Sequence, residues 1–242
     1  MVGEKLALLA IFAHPDDETF RPGGTLALLA RNGVKVHVLT ATRGQAGSGG
    51  DPPLCEAKDL PAVRERELRC ACAALGLEPP RLFDYEDGHL SDANPDTITA
   101  TVLDWAVVVH PQVLLTFGED GLSGHPDHIA IGRCACQAYA ADEQIAALYT
   151  LAVPRSVAEQ LEMRQVHPVP DEKIALRVDV STAWEAKHAA MACHATQRST
   201  TPLLNADEGR QHLFFGREFF VLTACRTPES DFMPDLLKDY RL

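Results

Sequence analysis

The chain has 242 residues, 46% of them hydrophobic and 23% charged, and carries a formal net charge of −12 at pH 7. That balance fits one globular domain with a sizeable core, and the negative charge argues against nucleic acid as the main partner. No apolar run approaches the ~20 residues that span a bilayer, and the N-terminal "MVGEKLALLAIFAHPDDE" enters acidic residues without a small-residue cleavage site. Neither a membrane span nor a signal peptide is expected, and the expected setting is cytoplasmic. Composition leaves a homo-oligomer open.

"LALLAIFA" (6–13) reads as a strand buried on both faces. "GGTLALLARNG" (23–33) reads as a helix closed by glycine, and "VKVHVLTAT" (34–42) as a β-branched strand. A Gly/Pro-rich loop, "RGQAGSGGDPP" (43–53), looks ligand-facing. An amphipathic helix over 61–77 has Pro at its start and Gly near its end. A short strand, "RLFDY" (81–85), precedes a helix over 94–111, with Asn94 as N-cap and Pro95 at the first helical position. "QVLLTFG" (112–118) is a strand, "HPDHIAIGRCACQAYAAD" (125–142) a helix and "IAALYTLAV" (145–153) a strand. A strand over 173–181, a helix opened by Thr182 and Glu185 in capping-box spacing, and a strand over 218–225 complete the set.

Alternating strands and helices, with near-continuous apolar strands, predict an α/β fold: a Rossmann-like three-layer α/β/α arrangement around a mostly parallel sheet. A single domain over 1–242 is expected, with 1–153 as the core and 154–242 completing the pocket and sheet. Cys70/Cys72 and Cys134/Cys136 are spaced C-x-C in helical stretches, where residues two apart point to different faces. That suits neither a local disulfide nor structural zinc, for which C-x2–4-C is usual. All 7 cysteines are expected buried and reduced.

Ligands of an open parallel sheet collect beyond the carboxyl ends of its strands. "HPDDE" lies at the end of the first strand, and "GEDGLSGHPDH" beyond the end of "QVLLTFG". Alone, "HPDH" is an ordinary helix start and "DDE" a solvated loop; at one sheet edge the two clusters can share a metal. His14, Asp17 and His128 would make a His2Asp zinc set, leaving Asp16, His125 and Asp127 for proton work. An extended loop would point the neighbours Asp16 and Asp17 in opposite directions. A dinucleotide reading fails, because "AHPDDETFRPGG" lacks G-x-G-x-x-G and its carboxylates would repel phosphate.

"AHPDDE" with a downstream "GHPDH" resembles the LmbE/PIG-L family of zinc-dependent N-acetylglucosaminyl de-N-acetylases. "TRGQAG", "VRERELRCACAALGL", "DYEDGHL" and "KHAAMACHATQ" resemble further family segments, so the likeness runs from about residue 6 to about residue 200. The resemblance implies His14, Asp17 and His128 as zinc ligands, Asp16 as general base, and His125 as the oxyanion-stabilising histidine. It implies a supporting carboxylate at Asp127, sugar contacts from Arg64 and Asp87, and a pocket-lining role for His194. Gln45, where several sugar deacetylases carry Glu, and Ser123, where the mycothiol branch carries Tyr, turn the reading away from the mycothiol precursor.

The expected reaction removes an acyl group, acetyl in the first instance, from a small N-acyl amino sugar or related amide. Zinc would lower the pKa of water toward ~7, Asp16 would take the proton, and a protonated His125 would face the oxyanion. Either residue could protonate the leaving amine. Iron(II) fits the same ligands. An amidase of a thiol conjugate or an antibiotic-type deacylase would use the same metal set, with loops 43–60 and 154–172 shaping the acyl pocket. A non-enzymatic metal-binding module would be expected to lack Asp16 or His125. A phosphoesterase commonly needs a second metal. Glu18 is expected to brace the loop, and Arg43 could reach the pocket.

Overall fold

The computed structural model describes residues 6–242. β1 (Ala7–Phe12) is apolar throughout and wholly buried. It pairs in parallel with β2 (Lys35–Thr42) on one side and β4 (Val113–Phe117) on the other. β3 (Arg81–Tyr85) lies outside β2, and β5 (Ala147–Ala152) outside β4, both parallel. β7 (Arg217–Cys225) runs antiparallel to β5, and β6 (Leu176–Asp179) antiparallel to β7. The order is β3-β2-β1-β4-β5-β7-β6. The chain winds outward from β1 through β2 and β3, then returns to β4 on the opposite side. That reversal opens a crevice at the carboxyl ends of β1 and β4.

The helices, in chain order, are α1 (Asp17–Phe20), α2 (Gly23–Arg31), α3 (Leu60–Leu75), α4 (Pro95–Val109), α5 (Pro126–Ala141), α6 (Arg155–Gln160), α7 (Trp184–Cys193), α8 (Glu208–Phe215) and α9 (Met233–Leu236). α2, α3 and α7 pack as one layer, and α4 and α5 as another, giving the three-layer α/β arrangement. No helix among the described residues is long and apolar enough to cross a membrane. The expected start of α4 forms: Asn94 accepts from the Asp96 N–H, with Pro95 in the first turn.

Local expectations fail where tertiary contacts outbid them. The strand expected over 173–181 contracts to β6, because 171–173 close a 3-10 turn. The Thr182/Glu185 capping box does not form; α7 begins after Ala183 with no side-chain cap. The Thr182 carbonyl instead accepts from Arg31 Nη1 at 2.6 Å. The short α1, α6, α8 and α9 span too few residues to leave a periodic signal.

The cysteine expectation needs correction. Cys70 of α3 and Cys193 of α7 form a disulfide across 123 residues, whereas Cys55, Cys72, Cys134, Cys136 and Cys225 are free. Cys70 is exposed and Cys72 buried, so the two do face apart. The spacing argument missed a partner distant in sequence.

A buried charge pair ties the added strands to the helical layer. Glu218, at the start of β7, accepts from the Gly24 and Thr25 N–H groups at the first turn of α2, at 2.8 and 2.7 Å. Lys187 of α7 donates to the same carboxylate at 2.6 Å, and both side chains are buried. Glu218→Gln strands the Lys187 charge in the interior and should destabilise the protein by about 3–5 kcal/mol. Urea unfolding measures this; a loss under about 1 kcal/mol, the scale of an exposed pair, would contradict it.

Candidate active site

β1 stops at Phe12, and Ala13 remains tied to β2 through the Thr42 N–H, 3.0 Å from its carbonyl. The next residues turn sharply. The His14 N–H donates to Asp17 Oδ2 at 2.9 Å, closing a small loop that brings both side chains to one point. Asp16 absorbs the turn with φ 122°, a region that L-residues rarely adopt. The loop is therefore not extended. Asp16 and Asp17 diverge because Asp16 is twisted and Asp17 opens α1.

α5 supplies the second cluster. His125 is its N-cap, and His125 Nδ1 accepts from the Asp127 N–H at 3.2 Å. That contact leaves the His125 proton on Nε2 when the ring is neutral. Burial and the neighbouring His14 and His128 push its pKa down. His128 lies one turn along, stacked on Phe117 with ring centroids 3.9 Å apart. Its Nδ1 lies 3.1 Å from the Gly121 carbonyl, to which it donates. Gly121 has φ +63°, and a Cβ there would come within 2.9 Å of His128 Cβ, so the loop that orients His128 requires glycine.

His14 faces two ways. Nε2 is 2.9 Å from Asp87 Oδ1 and 3.2 Å from Asp127 Oδ2, and its proton serves these carboxylates. Asp127 is fully buried and also accepts from the Gly88 and Leu90 N–H groups; Asp87 accepts from the Ala46 N–H. On the other side, His14 Nδ1 is 3.2 Å from His128 Nε2 and 3.7 Å from Asp17 Oδ2. Asp17 Oδ1 is 3.4 Å from His128 Nε2.

Two nitrogen lone pairs and a carboxylate thus converge, and the cluster needs positive charge at its centre. In the protein alone a proton supplies it. Burial lowers the His14 pKa, but hydrogen bonds to Asp127 and Asp87 and the charge of Asp17 overcome this and raise it to about 10. Burial and His14 push His128 down to about 4. A divalent cation meets the same need with more charge, and N2O donors suit zinc or iron(II). His14, His125 and His128 also approach closely enough to share an ion, as do His14, Asp87 and Asp127. The Asp87/Asp127 pair already holds His14 Nε2 and is better described as orienting that ring. Between His125 and Asp17 as third donor, Asp17 brings the charge and lies against both facing nitrogens.

Asp16 stands beside this cluster, braced from behind. Arg64 of α3 donates to Asp16 Oδ2 at 3.2 Å, to the Pro15 carbonyl at 2.5 Å and to the Gly44 carbonyl at 2.9 Å. The Asp16 N–H donates to Glu18 Oε2 at 2.9 Å, and His194 Nε2 is 2.8 Å from Glu18 Oε1. Burial and the charge of Asp17, opposed by Arg64, push the Asp16 carboxyl up to about 6.

Arg64, Asp87 and His194 are each engaged by neighbouring groups of the protein. Arg64 is 3% exposed, and a Cβ on Gly44, at φ +66°, would fall 2.2 Å from its guanidinium; it is packed beneath the loop. His194 is fully buried behind Glu18 and Thr19 and lines no pocket. Asp87 is spent on His14 and Ala46. Arg43 does not enter the site but pairs with Glu65 and Asp84. Gln45 accepts from the Arg43 N–H and donates to the Tyr85 carbonyl. Sequence reasoning missed Phe117 and Gly121, both of which orient His128. The glycine between "GED" and "HPDH" was the available signal.

Residues 9–139 match the PIG-L family, described as GlcNAc-PI de-N-acetylase. A relative from Acidothermus cellulolyticus, 1D-myo-inositol 2-acetamido-2-deoxy-alpha-D-glucopyranoside deacetylase, is 33% identical over 89% of this chain and 88% of its own length. The chain belongs to the PIG-L family. Among solved structures, the N,N'-diacetylchitobiose deacetylase of Pyrococcus horikoshii superposes with a TM-score of 0.65 at 19% identity, covering 95% of this chain and 89% of that one. GalB, the 4-carboxy-2-hydroxymuconate hydratase of Pseudomonas putida KT2440, superposes with a TM-score of 0.66 at 20% identity, covering 92% and 98%. These likenesses establish the fold. A hydratase on the PIG-L scaffold means that chemistry must be argued from side chains.

For this PIG-L chain the donor geometry predicts one tightly held divalent metal per chain. His14→Ala and His128→Ala should abolish it, and Arg64→Gln should retain it. Metal analysis after exhaustive dialysis checks this; full occupancy in either histidine variant would contradict the assignment.

Proposed function

We propose that this protein is a metal-dependent N-deacetylase that removes the acetyl group from an N-acetylglucosamine glycoside. The observation that carries the reading is the meeting of His14, Asp17 and His128 from two strand ends, with Asp16 and His125 beside them and free of the facing donor set. Membership of the PIG-L family and the name of the Acidothermus relative support an amino-sugar substrate. Zinc or iron(II) held by these donors would supply a Lewis acid that acidifies water and polarises an amide carbonyl.

The chain's own residues do the rest. Asp16 takes the proton of the attacking water, and its twisted backbone and Arg64 hold its carboxylate in place. His125 donates from Nε2 to the oxyanion, because its Nδ1 is committed to the helix cap. The neutral ring performs this task; double protonation, as expected from the sequence, would sacrifice the cap. Asp16, having gained a proton, returns it to the leaving amine. Asp127 and Asp87 fix the His14 tautomer. The products are an amine and acetate.

Asp16→Asn should keep its metal and lose ~10²–10⁴-fold in kcat, the usual range for a lost general acid or base. Asp17→Asn should lose metal first. Amine release from an N-acetylglucosamine glycoside, read beside metal content, checks both; an Asp16→Asn enzyme with wild-type turnover would overturn the mechanism.

Arg64→Gln should lower kcat with little change in KM, since Arg64 braces Asp16 and is sealed from the crevice. A rise in KM at unchanged kcat would return Arg64 to the sugar.

A further inference from the structure

The segment that follows α6 returns across the catalytic edge of the sheet. The Val169 N–H donates to the Val153 carbonyl at 3.0 Å, and the Arg155 N–H to the Val169 carbonyl at 2.9 Å, which pins the segment at the carboxyl end of β5. The His167 N–H donates to the Leu122 carbonyl at 2.7 Å, so the same segment is tied to the loop that leads from β4 into α5. Held from both strand ends, His167 lays its imidazole against Gly124, the residue before His125. Gly124 has φ +78°, and a Cβ there would come within 2.9 Å of His167 Cε1; the ring takes the space that a side chain would fill. His167 is exposed, as are Ser123 and His125 beside it. Its ring nitrogens make no hydrogen bond or ion pair among the described residues.

The fold does not need an imidazole at this place. The backbone bond of His167 would form with any residue but proline, and the ring adds no polar contact of its own. What the ring does is stand as a wall beside His125. The strand order β2-β1-β4-β5 tells which part of a substrate meets that wall. Asp16 is held from the β2 side, where Arg64 binds both its carboxylate and the Gly44 carbonyl just past β2. His14 and Asp17 follow β1, His125 and His128 follow β4, and His167 lies beyond them on the β5 side. Asp16 serves the attacking water and the leaving amine, so the sugar that bears the amine lies toward Asp16. His125 faces the oxyanion. The remaining substituent of the tetrahedral carbon, the acyl chain, is left with the direction away from Asp16, toward His167.

We propose that His167 closes the acyl side of the crevice and restricts the substrate to a short acyl group, acetyl above all. The imidazole, braced against Gly124, takes the place that the outer carbons of a longer acyl chain would need. His167 acts by its bulk and takes no part in proton transfer. The inference rests on the deacetylase reading for the orientation of the amide; the placement of the ring beside His125 does not depend on it.

The test compares the methyl glycosides of N-acetylglucosamine and N-butyrylglucosamine. Titration calorimetry on the zinc-loaded Asp16→Asn protein gives their affinities without turnover, with His167 intact, changed to Ala or changed to Phe. Amine release gives kcat/KM for the same three residues at 167 with Asp16 restored. A methylene more than a confined site can hold costs about 10–200-fold, so with His167 intact the acetyl compound should be favoured at least ~10-fold. His167→Ala should shrink that preference toward one by admitting the butyryl chain. His167→Phe, which keeps a ring of similar size, should preserve it. Equal affinities with His167 intact, a preference untouched by His167→Ala, or one lost in both variants would overturn the inference, as would binding of neither glycoside. A preference in binding that depends on the ring, without amine release from the wild type, would uphold the acyl wall and count against the deacetylase reading instead.

Discussion

The site depends on one imidazole held between opposing demands. His14 Nε2 is claimed by Asp87 and Asp127, so Nδ1 must turn its lone pair toward His128 and Asp17. The same logic acts on His128, whose Nδ1 proton goes to the Gly121 carbonyl. Two rings fixed in complementary tautomers produce a donor set whose chemistry calls for a cation.

The loop carrying His14, Asp16 and Asp17 has little regular structure of its own, so its shape is imposed from outside. Arg64 grips it from α3, and His194 reaches it through Glu18 from the end of α7. Glu67 of α3 also binds Thr196 just past α7, through both backbone and side chain. The Cys70–Cys193 disulfide joins these two helices near both grips. The strained Asp16 backbone persists because these contacts over-determine it. The helical layer thus serves the site by clamping a loop whose favoured conformation would be different.

Much of this was legible in the sequence. The apolar run 6–13 announced a doubly covered strand, and two His/Asp clusters at strand ends announced one site, because sheet topology makes such ends meet. The separate placements of Asp16 and Asp17 were also readable, though for the wrong local reason. What stayed hidden depended on contacts between distant residues. Arg64, Asp87 and His194 carry polar groups that suit a sugar, and nothing local distinguishes a residue facing a ligand from one bracing the loop behind it. The Cys70 partner lay 123 residues away.

His14, His128 and Asp17 are the proposed metal donors, with Asp16 and His125 left free for the reaction. X-ray absorption spectroscopy of the zinc-loaded protein tests this assignment most directly. The expected spectrum shows a nitrogen/oxygen shell containing two imidazoles, with the imidazole scattering unchanged in His125→Ala. A spectrum with three imidazoles, one of them lost in His125→Ala, would instead place His125 on the metal.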